Sequence, residues 1–266
     1  MRLCTYLDGD GTRLGVVRGD LVEPRAAADV SAAIAGPLPP PAGGPRPLAE
    51  VKLVAPLRPG KLLGIGLNYR DHAAETGAAP PAEPLVFAKL PSSVTGPGGP
   101  VVRPAYTREL DYEGELAVVI GRRAAGVPAE RALRHVFGYA AMNDVTARDR
   151  QRAEPQWVRA KGGDTFAPFG PWVTTADEVP DPQALRIRTW VNGEPRQDGS
   201  TGDMLFSVAE LIAWCSASFT LEPGDVITTG TPAGVGVARR PPAFLRPGDR
   251  VRVEVEGLGA LDHEVR

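Results

Sequence analysis

The chain has 266 residues, enough for one generous domain or two modest ones, and a net charge of −2. That balance gives no electrostatic footprint for nucleic acid or an anionic membrane. No apolar stretch approaches the roughly 20 residues that span a bilayer, and the start, Met1-Arg2-Leu3-Cys4, has no signal-peptide core. A cytoplasmic protein with a small-molecule partner is expected.

Residues 1–35 read as short strands (Leu3–Leu7, Leu14–Val17, Leu21–Val22) followed by a short alanine-rich helix. Gly36–Pro47 is crowded with proline and glycine and reads as a linker. The expected division is therefore a small N-terminal domain with its linker, residues 1–50, and a larger domain, 51–266. From Lys52 onward, short β-rich runs alternate with Gly/Pro turns. Strands are expected at Leu62–Ile65, Leu85–Ala88, Leu116–Ile120, Gly138–Met142, Trp172–Thr174, Leu185–Val191, Val226–Thr229 and Val251–Val255. Helices are expected at Asp71–Glu75, Pro128–Val136 and Ser207–Ser216. In the last, Ser207 and Glu210 have the spacing of a capping box. Strands do not alternate with long helices, so the pattern predicts a strand-rich α+β fold rather than a doubly wound sheet.

The most informative segment is Asp111-Tyr112-Glu113-Gly114-Glu115, at the mouth of the apolar run Leu116–Ile120. A strand has a side-chain period of two, so Glu113 and Glu115 share a face. Two carboxylates beside a core need a cation, a shared proton or open water. Asp144, after the apolar stretch Phe137–Met142, offers a third oxygen ligand for a hard divalent ion, Mg²⁺ or Mn²⁺, with Ca²⁺ also accommodated. The alternative is a solvated strand end and a turn. Cys4 and Cys215 match no disulfide or zinc spacing, and three histidines leave little room for a histidine-rich metal site.

Three further segments carry candidate chemistry. If Asp71–Glu75 is helical, His72 and Glu75 share a face, and a carboxylate beside an imidazole fixes its tautomer and raises its basicity. The alternative is a surface pair of three-residue spacing. Only four of the 30 basic residues are lysines: Lys52, Lys61, Lys89 and Lys161. A lysine kept against an arginine-rich background suits a place where a guanidinium fork fails, which draws attention to Lys89 and Lys161. Lys161-Gly162-Gly163 suggests a cation beside close-approaching backbone, able to pair a substrate carboxylate or a developing oxyanion; the alternative is a surface turn whose glycines only allow positive φ. In Thr228-Thr229-Gly230-Thr231-Pro232-Ala233-Gly234-Val235-Gly236, backbone amides and the Thr231 hydroxyl form a candidate anion nest, without the lysine and spacing of a P-loop; the alternative is a plain strand-to-strand connection.

Taken in order, Gly66–Glu75, Phe87–Pro97, Leu110–Gly121, Asn143–Asp149, Lys161–Gly170 and Thr229–Gly236 resemble the fumarylacetoacetate hydrolase family over roughly residues 60–266. The resemblance implies a mixed, strongly curved β-roll or sandwich with peripheral helices, usually a homodimer. It implies Mg²⁺ or Mn²⁺ at Glu113, Glu115 and Asp144, a His72–Glu75 dyad that activates water, and a catalytic Lys161. Gln151 and Thr231 match substrate-side positions, and Lys89 is a further substrate contact. Ile65 stands where members acting on fumarylacetoacetate carry a fourth metal carboxylate, which points to the smaller acylpyruvate-type branch. The activity implied is metal-dependent hydrolysis of a C–C bond in a β-diketo acid through a metal-bound enolate. Oxaloacetate-type decarboxylation or isomerisation of a hydroxymuconate-like dioate could use the same site, and a non-enzymatic scaffold is the reading from a different class.

Overall fold

The computed structural model describes residues 1–266. Its first strands, β1 (Arg2–Asp8), β2 (Gly11–Arg18) and β3 (Leu21–Pro24), form an antiparallel meander. α1 (Ser31–Ala35) is the alanine-rich helix. The stretch expected as a linker lies along the sheet edge instead. Ala26 N–H donates to Pro40 O, Ala42 N–H donates to Pro24 O, and β4 (Arg46–Pro47) pairs with β3. Prolines lack an N–H and so settle at such an edge.

Next come β5 (Leu53–Val54), β6 (Leu62–Gly66), α2 (Arg70–Thr76), β7 (Leu85–Lys89) and β8 (Val94–Thr95). They are followed by β9 (Leu110–Asp111), β10 (Gly114–Ile120), α3 (Ala129–Ala132) and β11 (Val136–Asn143). The helix expected over Pro128–Val136 is shorter than that. After α3 the chain makes a tight 3-10 turn, Leu133–His135, whose His135 carbonyl accepts from the Gly121 and Arg122 N–H groups. β-branched Val136 and aromatic Phe137 then open a strand.

β12 (Thr146–Ala147), α4 (Arg148–Ala153), α5 (Val158–Lys161) and β13 (Ala167–Thr175) complete the central part. The C-terminal third holds β14 (Arg186–Val191), β15 (Glu194–Ser200), α6 (Val208–Ser218), β16 (Val226–Thr228), β17 (Arg250–Val255) and β18 (Gly259–Glu264). The capping box of α6 is present: Ser207 Oγ accepts from Glu210 N–H, and the Glu210 carboxylate accepts from Ser207 N–H.

The large sheet runs β4-β3-β2-β1-β13-β11-β10-β16-β6-β7, with β5 on β1 and β8 on β13. It is mixed, since β16 and β6 are parallel. A smaller antiparallel sheet, β15-β14-β17-β18, packs against β10, β11 and β13. β10 is therefore buried on both faces, which explains its continuous apolar run. Leu116, Val118 and Ile120 join Val251, Val253 and Leu261 of the small sheet in one cluster. Ala117 and Val119 join a second cluster with Leu3, Leu14, Val16, Met142 and Phe169. This second core crosses the expected boundary at residue 50, so residues 1–50 and 51–266 are joined by packing as well as by the β1–β13 ladder. The α+β, strand-rich architecture stands.

Candidate metal centre and active site

Two strand ends meet at the site. Glu113 lies just before β10 and Asp144 just after β11, and these strands are paired so that Gly114 faces Asn143. Glu113 N–H donates to Asn143 Oδ1 at 2.9 Å, and Asp144 N–H returns a bond to Glu113 O at 2.9 Å. This stitching brings one carboxylate oxygen each from Glu113, Glu115 and Asp144 within 4.8 Å of one another, all three side chains buried.

Three cations surround the carboxylates. Lys161 Nζ donates to Glu113 Oε2 at 2.8 Å, Asp144 Oδ2 at 2.7 Å and Thr146 Oγ1 at 2.8 Å. Lys89 Nζ donates to Asp144 Oδ1 at 2.5 Å and to the Lys161 carbonyl. Arg148 Nη2 lies 2.6 Å from Glu113 Oε1, its Nε donates to Asp111 Oδ2 at 2.8 Å, and its Nη1 donates to Gln151 Oε1 at 3.0 Å. Burial alone would raise the Glu113 carboxyl, but Lys161 and Arg148 outweigh it and hold it at about 2. Burial would likewise lower Lys161, yet Asp144 and Glu113 raise it, so it stays an ammonium. At Lys89 burial wins, and its affinity for a proton falls.

Glu115 is different. Its Oε2 accepts from Thr228 Oγ1 at 2.5 Å and Gly230 N–H at 2.9 Å, while its buried Oε1 has no partner. Burial, then the charges of Asp144 and Glu113, push its proton affinity well above the ordinary carboxylate range. No lysine or arginine ion-pairs with it. One free buried oxygen in an all-oxygen donor set is what a hard divalent cation would satisfy. The residues present fit such an ion.

The dyad stands on α2. His72 Nδ1 and Glu75 Oε1 are 2.8 Å apart, three residues along the helix, and His72 is buried. Gly77, at φ 68°, ends that helix in the left-handed conformation. A cavity of about 220 Å³ opens beside the dyad, lined by His72, Glu113, Arg148, Gln151, Lys161 and Thr231, with Ile65, Trp157 and Arg152 also on its wall. Sequence-predicted residues from five separate segments thus converge on one cavity.

Two expectations are corrected. Lys89 does not line the cavity: its ammonium is fully buried on Asp144 and the Lys161 carbonyl, so it braces Asp144 and does not reach the cavity. The glycine-rich nest is filled by the protein's own carboxylates. Gly230 N–H holds Glu115, Ala233 N–H holds Asp71 at 3.1 Å, and Gly234 N–H holds Glu75 Oε2 at 2.8 Å. Gly236 and Val237 N–H groups hold Asp111 at 2.7 and 3.0 Å. Thr231 Oγ1 donates to Gly114 O at 2.9 Å and accepts from Gln197 Nε2 at 2.7 Å, while Gln197 Oε1 accepts from Gly114 N–H at 2.9 Å.

Sequence reading missed Arg148, Asp111, Gln197 and Trp157 as parts of the site. Arg148 and Asp111 stood inside motifs already marked, so their position was the available signal. Gln197 had none, because its partners are 83 and 34 residues away. The glycines after Lys161 serve packing: a Cβ on Gly162 would lie 2.6 Å from Val158 O, and one on Gly163 3.0 Å from Tyr106 Oη.

Fold and site together define a β-rich enzyme with an acidic centre suited to a divalent metal. Residues 61–266 match the family model described as fumarylacetoacetate (FAA) hydrolase, C-terminal, and the chain belongs to this family. It is 42% identical over 267 residues to Protein Rv2993c of Mycobacterium tuberculosis, covering 100% of this chain and 98% of that protein. It is 47% identical over 222 residues to the human mitochondrial oxaloacetate tautomerase FAHD2A, covering 82% of this chain and 71% of the relative. Among solved structures, the fumarylacetoacetate hydrolase of Exiguobacterium antarcticum superposes with a TM-score of 0.90 at 38% identity, over 100% of this chain and 99% of that one. A 5-carboxymethyl-2-hydroxymuconate delta-isomerase from Mycobacterium smegmatis gives 0.86 at 40%, over 100% and 99%. No helix is long and apolar enough to cross a membrane.

Proposed function

We propose that the chain hydrolyses a C–C bond in a small β-diketo acid of the acylpyruvate or fumarylpyruvate type, with Mg²⁺ or Mn²⁺ at Glu113, Glu115 and Asp144. The observation that carries this reading is His72, held 2.8 Å from Glu75 behind it, on the wall of a cavity it shares with Glu113 and Lys161. A divalent ion, when bound, supplies the Lewis acidity that favours the enolate of a 2-oxo acid.

The chain's own residues supply the proton chemistry. With Nδ1–H donated to Glu75, His72 keeps Nε2 as the basic atom, and Glu75 is itself fixed by Gly234 N–H. His72 Nε2 takes a proton from a water molecule, whose oxygen bonds to the distal carbonyl carbon. The adjacent C–C bond then breaks, its electron pair leaving on the oxo-acid fragment as an enolate. His72 then gives that proton to the fragment's carbon, which restores the neutral imidazole and leaves a carboxylic acid and a 2-oxo acid as products. Lys161, held as an ammonium, and Arg148 stabilise the negative charge that moves through this sequence. Gln151 and Thr231 serve as substrate-side groups. The cavity of about 220 Å³ favours short acyl chains. A homodimer belongs to the same proposal and is checked by sedimentation.

A second reading is keto–enol tautomerisation of oxaloacetate, favoured by the 47%-identical relative that bears this name. It needs the enolate and a proton shuttle but no attacking water. The deciding experiment compares acetylpyruvate, fumarylpyruvate and oxaloacetate with and without EDTA, for the chain and for His72→Ala. Loss of the general base should lower acylpyruvate hydrolysis by about 10²- to 10⁴-fold. Undiminished hydrolysis in His72→Ala would remove the dyad from the mechanism. EDTA-resistant turnover would remove the metal.

A further inference from the structure

A second hollow lies apart from the catalytic cavity, between the Arg103–Arg108 turn, the β14–β15 hairpin and the Pro241–Asp249 loop. Its volume is about 570 Å³, larger than the catalytic cavity and within the range of small-molecule sites. Four arginines line it, Arg103, Arg108, Arg196 and Arg246, against one carboxylate, Asp249. That carboxylate is already engaged: Oδ1 accepts from Asn192 Nδ2 at 2.8 Å, and Oδ2 from Arg246 N–H at 2.7 Å. Arg196 is paired with Glu194 at 2.8 Å, whereas the guanidinium groups of Arg103, Arg108 and Arg246 have no carboxylate within 4.0 Å.

Three unpaired guanidinium groups around one hollow repel each other, in a chain that is otherwise slightly acidic. An anion bound between them removes that repulsion, and one carrying two or more charges can pair with more than one of them at once. The guanidinium fork pairs bidentately with phosphate or carboxylate oxygens. Buried Tyr112, Val191 and Leu245, with half-buried Phe244, give the hollow an apolar side against which a ligand body can rest. The Tyr112 hydroxyl donates to Gly234 O at 2.9 Å, and the N–H of that same residue holds Glu75. The hollow and the catalytic dyad therefore share Gly234.

We propose that this hollow binds a small, multiply charged oxyanion through Arg103, Arg108 and Arg246. Polyphosphates and polycarboxylates share this chemistry, and calorimetry on the full chain distinguishes them. Pyrophosphate, ADP and citrate would each be titrated at about 0.15 M salt, where exposed charges are already screened, and at fixed free Mg²⁺. Saturable binding of at least one probe is expected, weakened at least about tenfold in the double variant Arg103→Ala/Arg246→Ala. Preference for pyrophosphate and ADP marks a phosphorylated ligand, and preference for citrate a polycarboxylate. Glu115→Gln, which alters the metal centre, should leave this binding in place. The proposal is overturned by absent saturable binding, by binding unchanged in the arginine variant, or by binding lost only in Glu115→Gln. A sedimentation change in the arginine variant without ligand binding would overturn it too, assigning the hollow to a second copy of the chain.

Discussion

Among the three clustered carboxylates, Glu115 is the one left without a cation. Glu113 has Lys161 and Arg148, and Asp144 has Lys161 and Lys89, but Glu115 has only two neutral donors on one oxygen. Its isostere glutamine can accept the same two bonds through its carbonyl oxygen while carrying no charge. Glu115→Gln should therefore fold as well as the parent in EDTA, because a buried carboxyl with a free oxygen is replaced by a neutral group. It should also lose divalent-metal affinity by at least the ~10–100-fold that supporting residues around a metal cost when removed. Calorimetric titration with Mn²⁺ and thermal unfolding in EDTA read the two effects separately. Unaltered Mn²⁺ affinity would place the ion elsewhere.

At the scale of elements, the loop after β16 organises the site by giving backbone N–H groups to carboxylates from three places. Glu115 comes from β10, Asp71 and Glu75 from α2, and Asp111 from β9. Asp111 is the most heavily used, accepting from Arg148 Nε and from the N–H groups of Tyr112, Gly236 and Val237. Asp111→Ala leaves Arg148 Nε and three backbone amides without their acceptor, although Glu113 still pairs with the guanidinium, so it should destabilise the fold by about 3 kcal/mol or more in urea unfolding. Asp111→Asn, which keeps an acceptor, should cost less. Equal losses in the two would mean that the charge, not the hydrogen bonding, is what matters. This loop also shows where sequence reading stops. Its glycines marked a nest, and the strand before it was legible from its apolar run. The anions filling the nest were not legible, because they arrive from segments more than a hundred residues away. Local signals fared better: the capping box of α6 and the His72–Glu75 spacing are each set within three residues. β15, Glu-Pro-Arg-Gln-Asp-Gly-Ser, has almost no apolar content and is a strand only because β14 pairs with it.

Across the whole molecule, the small sheet is clamped onto the large one, and His263 sits in that clamp. It lies on β18 opposite Val251, with Nε2 2.9 Å from Asn143 Nδ2, and Asn143 in turn receives Glu113 N–H. An amide nitrogen donates, so His263 Nε2 must accept, which only the neutral ring can do. Burial pushes the imidazole down to about 3. The unfolded chain, with an ordinary histidine near 6.5, binds this proton more readily than the folded one. Stability from this residue is therefore complete above about 6.5 and falls as the pH drops from there towards 3, by about 1.4 kcal/mol per pH unit. His263→Gln keeps an acceptor for Asn143 but has no proton to gain. Chemical unfolding between pH 6.5 and 4.5 should show a slope shallower by about one proton in this variant. Carboxylates titrating in the same range contribute equally to both proteins and cancel in the difference. Parallel pH profiles for the two would mean that His263 takes up its proton without the sheets parting.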